Sequence, residues 1–286
     1  MDCTDLYLKI NHNLQENIQA SLSSSHYTLF ANANAFIDDY GLWQKWIAEK
    51  YGIEIFSLAL SEYETALLFA VQSLYKQAFS SLRAYLEHTL FGIQLTTNLL
   101  QYLNWKQDAQ DVYWSQIVDL DSGLFSSNYT SAFFSELCAS SKLILDLAKR
   151  VYRECSQFTH GNYSAWEVIK YPPVYDEKAF VKFLDEAESI KYIIEYSFFI
   201  RFIKEIPKGK ITDFESQIRE SLGHLKEVTD YLSMINEDEK RQILFLEVKS
   251  YKTLKFLIIM SAQCTMKKYL SILKLQFPAF WKVVEG

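Results

Sequence analysis

Glycine and proline are the residues that turn a chain and end its helices. This sequence of 286 residues holds only eight of the first and four of the second. Sandwiches and barrels need a turn roughly every 8–12 residues, so this scarcity disfavours them and suits long helices joined by few loops. The composition is 49% hydrophobic and 16% aromatic, far from that of a disordered chain. At this length it can bury a sizeable core. The expected fold class is therefore all-α, a helical bundle.

Hydrophobic periodicity gives the helices their places. Leu6, Ile10, Leu14, Ile18 and Leu22 recur every four residues and predict a first amphipathic helix. After a short aromatic segment, 41–52 reads as a brief helix closed by Gly52. From 54 to about 103 the helical pattern is nearly continuous, with a break expected near Tyr75–Phe79. Residues 105–130 read as the longest irregular region. A helix is predicted from about Ser140 to His160, then a loop over 161–175, because Pro172 and Pro173 exclude helix there. Asp176 can cap the next helix, whose core face is Phe180, Phe183, Leu184, Ala187 and Ile194. Thr212 and Glu215 have the spacing of a capping box and predict a helix start, with Phe214, Ile218, Leu222, Leu225 and Leu232 on its core face. A last helical region is expected over about 240–273.

The overall charge is −6, unevenly spread. Residues 1–140 carry 6 Lys+Arg against 15 Asp+Glu, or −9; residues 141–210 carry 12 against 10, and 211–286 carry 11 against 10. No segment has the dense basic stripe of a dedicated nucleic-acid binder, so any RNA contact has to be local or assembled from more than one chain. Lys249, Lys252, Lys255, Lys267, Lys268 and Lys274 give the last helices a modest basic character, read first as a solvated face. Cys3, Cys138, Cys155 and Cys264 are scattered without a CxxC pair, which argues against a disulfide framework or a zinc site. The amino terminus is acidic and lacks an apolar run, and the apolar stretches near 192–202 and 256–264 are too short or interrupted to span a bilayer. A cytoplasmic protein without a membrane segment is expected. Walker, dinucleotide-binding and G-x-S-x-G motifs are absent.

One stretch stands apart, 151-VYRECSQFTHGN-162. At about 100° per residue, Ile144, Ala148, Val151, Cys155 and Phe158 form the core stripe of the 140–160 helix. Arg153 and His160 then fall about 160° and 140° from Cys155, with Ser156 on the same side. The pair must face solvent, a cleft or another subunit. On spacing alone, a cation in the last turn before Gly161 also suits an ordinary solvated helix end, because it meets exposed carbonyls.

The R-x6-H pair near the end of a helix resembles the signature of the HEPN superfamily, an arginine four to six residues before a histidine. The wider Tyr152-x3-Ser156-x3-His160-Gly161 is similar to a variant in bacterial HEPN-like proteins linked to phage defence or abortive infection. Those proteins often carry an Arg followed by Leu-Glu on an earlier helix, and here 82-LRAYLEH-88 offers Arg83, Leu86 and Glu87. One position departs: Glu154 follows the arginine, where active members usually carry Asn, Asp or His. The resemblance implies a HEPN-like helical core over 54–175, with an amino-terminal extension (1–53) and a carboxy-terminal helical region (176–286). It further implies a metal-independent endoribonuclease with no cofactor, whose composite site forms at a homodimer interface. In that reading RNA supplies the 2′-OH nucleophile, His160 moves the proton and Arg153 clamps the phosphate. Tyr152, Ser156, Glu154, Arg83 and Glu87 support them. The role would be an effector in antiviral defence or a toxin, with an antitoxin or defence-system protein as partner.

A second class stands beside this one: a non-catalytic helical interaction, sensor or regulatory subunit, favoured by the acidic amino half and by Glu154. Arg83 and His88 also satisfy R-x4-H, but Arg83 pairs more naturally with Glu87 as a structural ion pair. His12, His26 and His224 lack metal-ligating companions at suitable spacing. Asp119 and Asp121 read as loop carboxylates rather than metal ligands.

Overall fold

The computed structural model describes residues 2–111, 113–160, 162 and 169–235. The chain divides into a unit spanning Met1–Thr229 and a second spanning Asp230–Gly286, of which residues 230–235 are described and are helical. The helix expected over 240–273 and the late lysines lie outside the described residues. The first unit is built from α1 (Cys3–Leu22), α2 (Tyr27–Tyr51), α3 (Ile55–Val71), α4 (Tyr75–Leu95), α5 (Leu99–Lys106), α6 (Trp114–Ile117), α7 (Ser127–Phe134), α8 (Cys138–His160), α9 (Glu177–Phe202) and α10 (Lys208–Leu222). Helix makes up about 81% of the structure, and no strand occurs among the described residues. The shortage of turn-formers has the consequence expected of it.

Two helices organise the core. In α9, every residue from Ile193 to Phe202 is buried, with Glu195, Ser197 and Arg201 set among apolar and aromatic side chains, so the helix is enclosed on every side where it runs through the interior. Around it Trp43, Phe198, Phe202 and Phe214 pack ring against ring, with the Trp43 and Phe214 centroids 4.5 Å apart. Helix α4 lies against α3, and Gly92 sets how closely: a Cβ there would stand 2.8 Å from Ile55 Cγ2 and from Phe56 Cζ. Helix α8 then packs on α4 in the opposite direction, since Ser80 meets Thr159 while Arg83, further along α4, meets Tyr152. Phe158 stacks on Phe79 at 3.8 Å and locks the carboxy-terminal turn of α8 to the start of α4.

Several local signals act as chemistry predicts. Gly52 closes α2 at φ 63, the left-handed region that costs glycine nothing. Asp176 accepts a hydrogen bond from the Ala179 N–H at 3.0 Å and caps α9. The break between α3 and α4 falls at residues 72–74, with Ser73 at φ 62, just ahead of the expected place.

Other expectations are corrected. Helix α2 starts at Tyr27, not near residue 41, because Phe36, Tyr40, Trp43 and Ile47 form one continuous buried stripe. Helix α10 starts at Lys208 behind Pro207, so Thr212 lies within it, and Glu215 pairs with Arg219 at 2.7 Å instead of closing a capping box; the helix ends at Leu222 ahead of Gly223, short of Leu225 and Leu232. In α1 the predicted apolar face is not fully buried: Ile10, Leu14 and Ile18 are half-buried, and Leu6 and Leu22 are 37% and 38% exposed. That helix docks instead through buried Asn17 and Ser21, whose side chains donate to the carbonyls of Pro173 and Val71. The 105–130 region is also more ordered than its composition suggests. Asn98 caps α5, Ser126 caps α7, and the Asp119 carboxylate accepts from the Asp121 and Ser122 amides. These bonds hold Asp119 below the usual carboxylate range and mark it as a turn-former.

Candidate active site

Helix α8 presents two faces of different character. Ile144, Ala148, Val151, Cys155 and Phe158 are all buried, as the stripe requires. Arg153 and His160 are both exposed on the far side, with Ser156 half-buried between them. The N–H of Asn162 reaches back to the Gln157 carbonyl at 3.1 Å, the six-to-one bond of a helix terminus, which fixes the end of α8 at His160.

Around Tyr152 the structure gathers residues from three helices. Arg83 of α4 donates from Nη2 to the Tyr152 hydroxyl, and its guanidinium carbon lies 4.4 Å from the ring centroid. The same guanidinium faces Glu87 one turn on, with Nε 3.4 Å from a carboxylate oxygen. Trp114 of α6 lies flat against the Tyr152 ring, 4.1 Å between centroids and 4° from parallel. Partial burial, then the Glu87 charge, raise the Tyr152 pKa against the opposing pull of Arg83. The phenol therefore keeps its proton at neutral pH and acts here as a hydrogen-bonding group, not a base.

The remaining candidates separate. Glu154 pairs with Lys182 of α9 at 2.7 Å, directed away from the Arg153 side of the helix. The Ser156 hydroxyl donates to the Tyr152 carbonyl at 2.6 Å, so its proton is committed within the helix while its oxygen still has acceptor capacity. Sequence reasoning missed Trp114 altogether. It sits in a four-residue helix inside a stretch with no periodicity to read, and stacking across the fold leaves no mark on local spacing.

The side chains of Arg153 and His160 make no hydrogen bond or ion pair among the described residues. The contrast with the other arginines is sharp. Arg83, Arg150, Arg201 and Arg219 pair with Glu87, Glu186, Glu205 and Glu215 respectively. Of the five arginines described, only Arg153 has no carboxylate beside it.

The other titratable candidates do not form a second centre. His12 pairs with Glu16, His26 with Glu177, and His224 with the Tyr192 hydroxyl. His88 is half-buried with an unpartnered Nδ1, and burial lowers its pKa. No group of three or more His, Cys, Asp or Glu side chains capable of holding a metal occurs among the described residues. Cys3, Cys138 and Cys155 are free thiols, and burial pushes the Cys155 thiol far up. Among the described residues no helix is long and apolar enough to cross a membrane. No family model, no curated protein and no solved structure matches this chain.

Proposed function

We propose that this protein is a metal-independent endoribonuclease in which Arg153 and His160 act on the phosphodiester link, with a second copy of the chain completing the site. The observation that carries this is the state of Arg153, the one described arginine without a carboxylate, on the same open face as an unpartnered histidine. A guanidinium that no internal acid neutralises can bind phosphate bidentately without first breaking an ion pair. An exposed imidazole can take the 2′-OH proton and return one to the leaving 5′-oxygen. RNA supplies the nucleophile, so the protein needs only a proton carrier and a stabiliser of phosphate charge.

Helix geometry argues for the second copy. Arg153 and His160 are seven residues apart, a rise of roughly 10 Å. Side chains on a helix lean toward its amino terminus, which takes His160 toward Ser156 and Arg153 away from it. The lean is the same for both, so within one chain the two groups stay roughly 10 Å apart along the axis; across a two-fold axis, the arginine of one chain can approach the histidine of the other. The similarity to HEPN proteins points the same way and suggests an effector role in antiviral defence or a toxin–antitoxin pair.

The test is RNA cleavage by the purified full chain in EDTA, with Arg153→Ala and His160→Ala assayed separately and then mixed. Each variant alone should be inactive. The mixture should regain part of the activity, because a mixed dimer retains one site with both groups intact. Products should carry cyclic phosphate ends. If both single variants cut as well as wild type, the site lies elsewhere; if neither the mixture nor any trigger restores cutting, the composite arrangement fails.

The rival reading, a helical interaction or sensor subunit, is favoured by one observation. The Glu154–Lys182 pair puts an ion pair where active HEPN members usually carry Asn, Asp or His. A wild-type protein that cuts no RNA in any tested condition would favour it.

A further inference from the structure

The region between the end of α4 and the start of α7 forms an open pocket of about 530 Å³. Its size falls in the range of roughly 300–1,000 Å³ typical of small-molecule sites. Its lining is unusual in kind. Gln94, Asn98, Gln101, Asn104, Gln110 and Gln116 all contribute carboxamide side chains, and among the described residues no Lys, Arg, Asp or Glu lines it. The surrounding sequence is not short of charge: Lys106, Asp108, Asp111, Asp119 and Asp121 are all close along the chain, and none of them lines the cavity.

The amides are arranged, not merely present. Gln116 Oε1 accepts from Gln101 Nε2 at 3.1 Å and from Gln110 Nε2 at 3.4 Å. That leaves the Gln101 carbonyl oxygen and the Gln116 amide nitrogen with capacity to spare. Asn104 makes no side-chain hydrogen bond among the described residues. Gln94 retains a buried carbonyl oxygen without a donor.

Ligand chemistry follows from the lining. A phosphate, carboxylate or ammonium would find no counter-charge there, and an apolar ligand would strip water from amides without replacing its hydrogen bonds. A carboxamide carries an acceptor and a donor side by side in one plane, and the edge of a nucleobase carries the same pair. Tyr129 and Leu100 add ring and aliphatic surface to the wall. The cavity also adjoins the candidate active site through α6. Gln116 lines the cavity, and Trp114, two residues earlier in the same single-turn helix, stacks on Tyr152.

We infer that this cavity is a recognition pocket for the uncharged edge of a nucleobase, taken from a free nucleoside or from a base of an RNA strand bound at the Arg153–His160 face. The strand-borne case rests on the ribonuclease reading; the free-nucleoside case does not. The experiment is calorimetric titration of the full-length protein with each of the four ribonucleosides, with short single-stranded oligonucleotides, and with maltose as an uncharged polyhydroxyl control. One ribonucleoside, or oligonucleotides carrying that base, should bind saturably, and maltose should not. The double variant Gln101→Leu/Gln116→Leu should weaken that binding about tenfold or more, the scale of one or two lost hydrogen bonds. Asn104→Leu, which removes no internal bond, keeps the test valid if the double variant melts early. Nucleoside binding by a protein that cuts no RNA would support the pocket and sink the ribonuclease. Cleavage with the same base preference in all pocket variants, and no nucleoside binding, would sink the pocket and leave the ribonuclease standing. Maltose binding in place of any base would overturn the assignment.

Discussion

Two arginines near the ends of two long helices show what the fold does with a cation. Arg201, in the last turn of α9, is only 5% exposed. Its guanidinium donates to the Thr96 hydroxyl at 2.9 Å, to Glu205 at 2.5 Å and to the Tyr51 hydroxyl at 2.9 Å, and Lys50 adds a second cation to Glu205 at 2.6 Å. Lys50 and Tyr51 close α2, Thr96 follows α4 and Glu205 lies one turn past Arg201, so the knot ties the carboxy-terminal ends of α2, α4 and α9 together. Arg153, near the end of α8, has none of this. The lesson is that charge at a helix end says little by itself. The completeness of its hydrogen-bonding shell separates a structural cation from an available one.

That comparison can be broken most forcefully at Arg201. Arg201→Ala leaves the Glu205 carboxylate and the Tyr51 hydroxyl without their buried donor, and should cost about 3–5 kcal/mol in chemical denaturation. A loss below 1 kcal/mol would mean that the knot is ornamental and would undo the contrast with Arg153.

The open face should behave in the opposite way. His160→Ala and Arg153→Ala should each lower RNA cleavage by about 100-fold or more, close to 3 kcal/mol of barrier. Their unfolding free energies should stay within about 0.5 kcal/mol of wild type, since neither side chain has an internal partner to lose. Cleavage rates and denaturation midpoints measured on the same preparations check both halves.

Two carboxylates sharpen the comparison through pH. Glu205 is partly buried, which raises its pKa, but donors from Lys50, Tyr51 and Arg201 outweigh this and hold it at about 2. Its folded pKa lies below the unfolded value of 4.5, so its contribution is present above pH 4.5 and is lost as pH falls toward 2. Glu195 is fully buried, and burial raises it to about 8 against a single opposing bond from Trp43 at 3.3 Å. Its folded pKa lies above the unfolded 4.5, so stability declines as pH rises from about 4.5 to about 8. Melting curves at pH 5 and pH 8 should show Glu195→Gln gaining on wild type at the higher pH. Glu205→Gln should instead flatten the acid limb between pH 5 and 2. The opposite outcomes would exchange the roles of the two sites.

The smallest effect is expected at Glu154. Its bond to Lys182 is partly exposed, so Glu154→Gln should change stability by less than about 1 kcal/mol. Cleavage should change by less than about threefold, because the carboxylate is engaged with α9 and not with the Arg153 face. A tenfold change in rate would bring Glu154 into the machinery.

The sequence by itself determined the helical class, the polarity of α8 and the cap at Asp176. Each of these is set within a turn or two of chain, by turn-former scarcity, by the 3.6-residue period or by one side chain meeting a nearby amide. It also placed Arg83 beside Glu87, because residues four apart on a helix are neighbours whatever the fold. Only the tertiary structure decided that Tyr152 would receive Arg83 and Trp114, that α1 would dock through Asn17 and Ser21, and that six scattered carboxamides would share one cavity. Arg83 is 69 residues from Tyr152 and Asn17 is 156 from Pro173. At such separations no local period carries information. Arg83, Arg201 and Arg219 find a carboxylate four residues away, but the further partners that complete a cation's shell, Tyr152 for Arg83 and Thr96 and Tyr51 for Arg201, depend on which helix packs beside it.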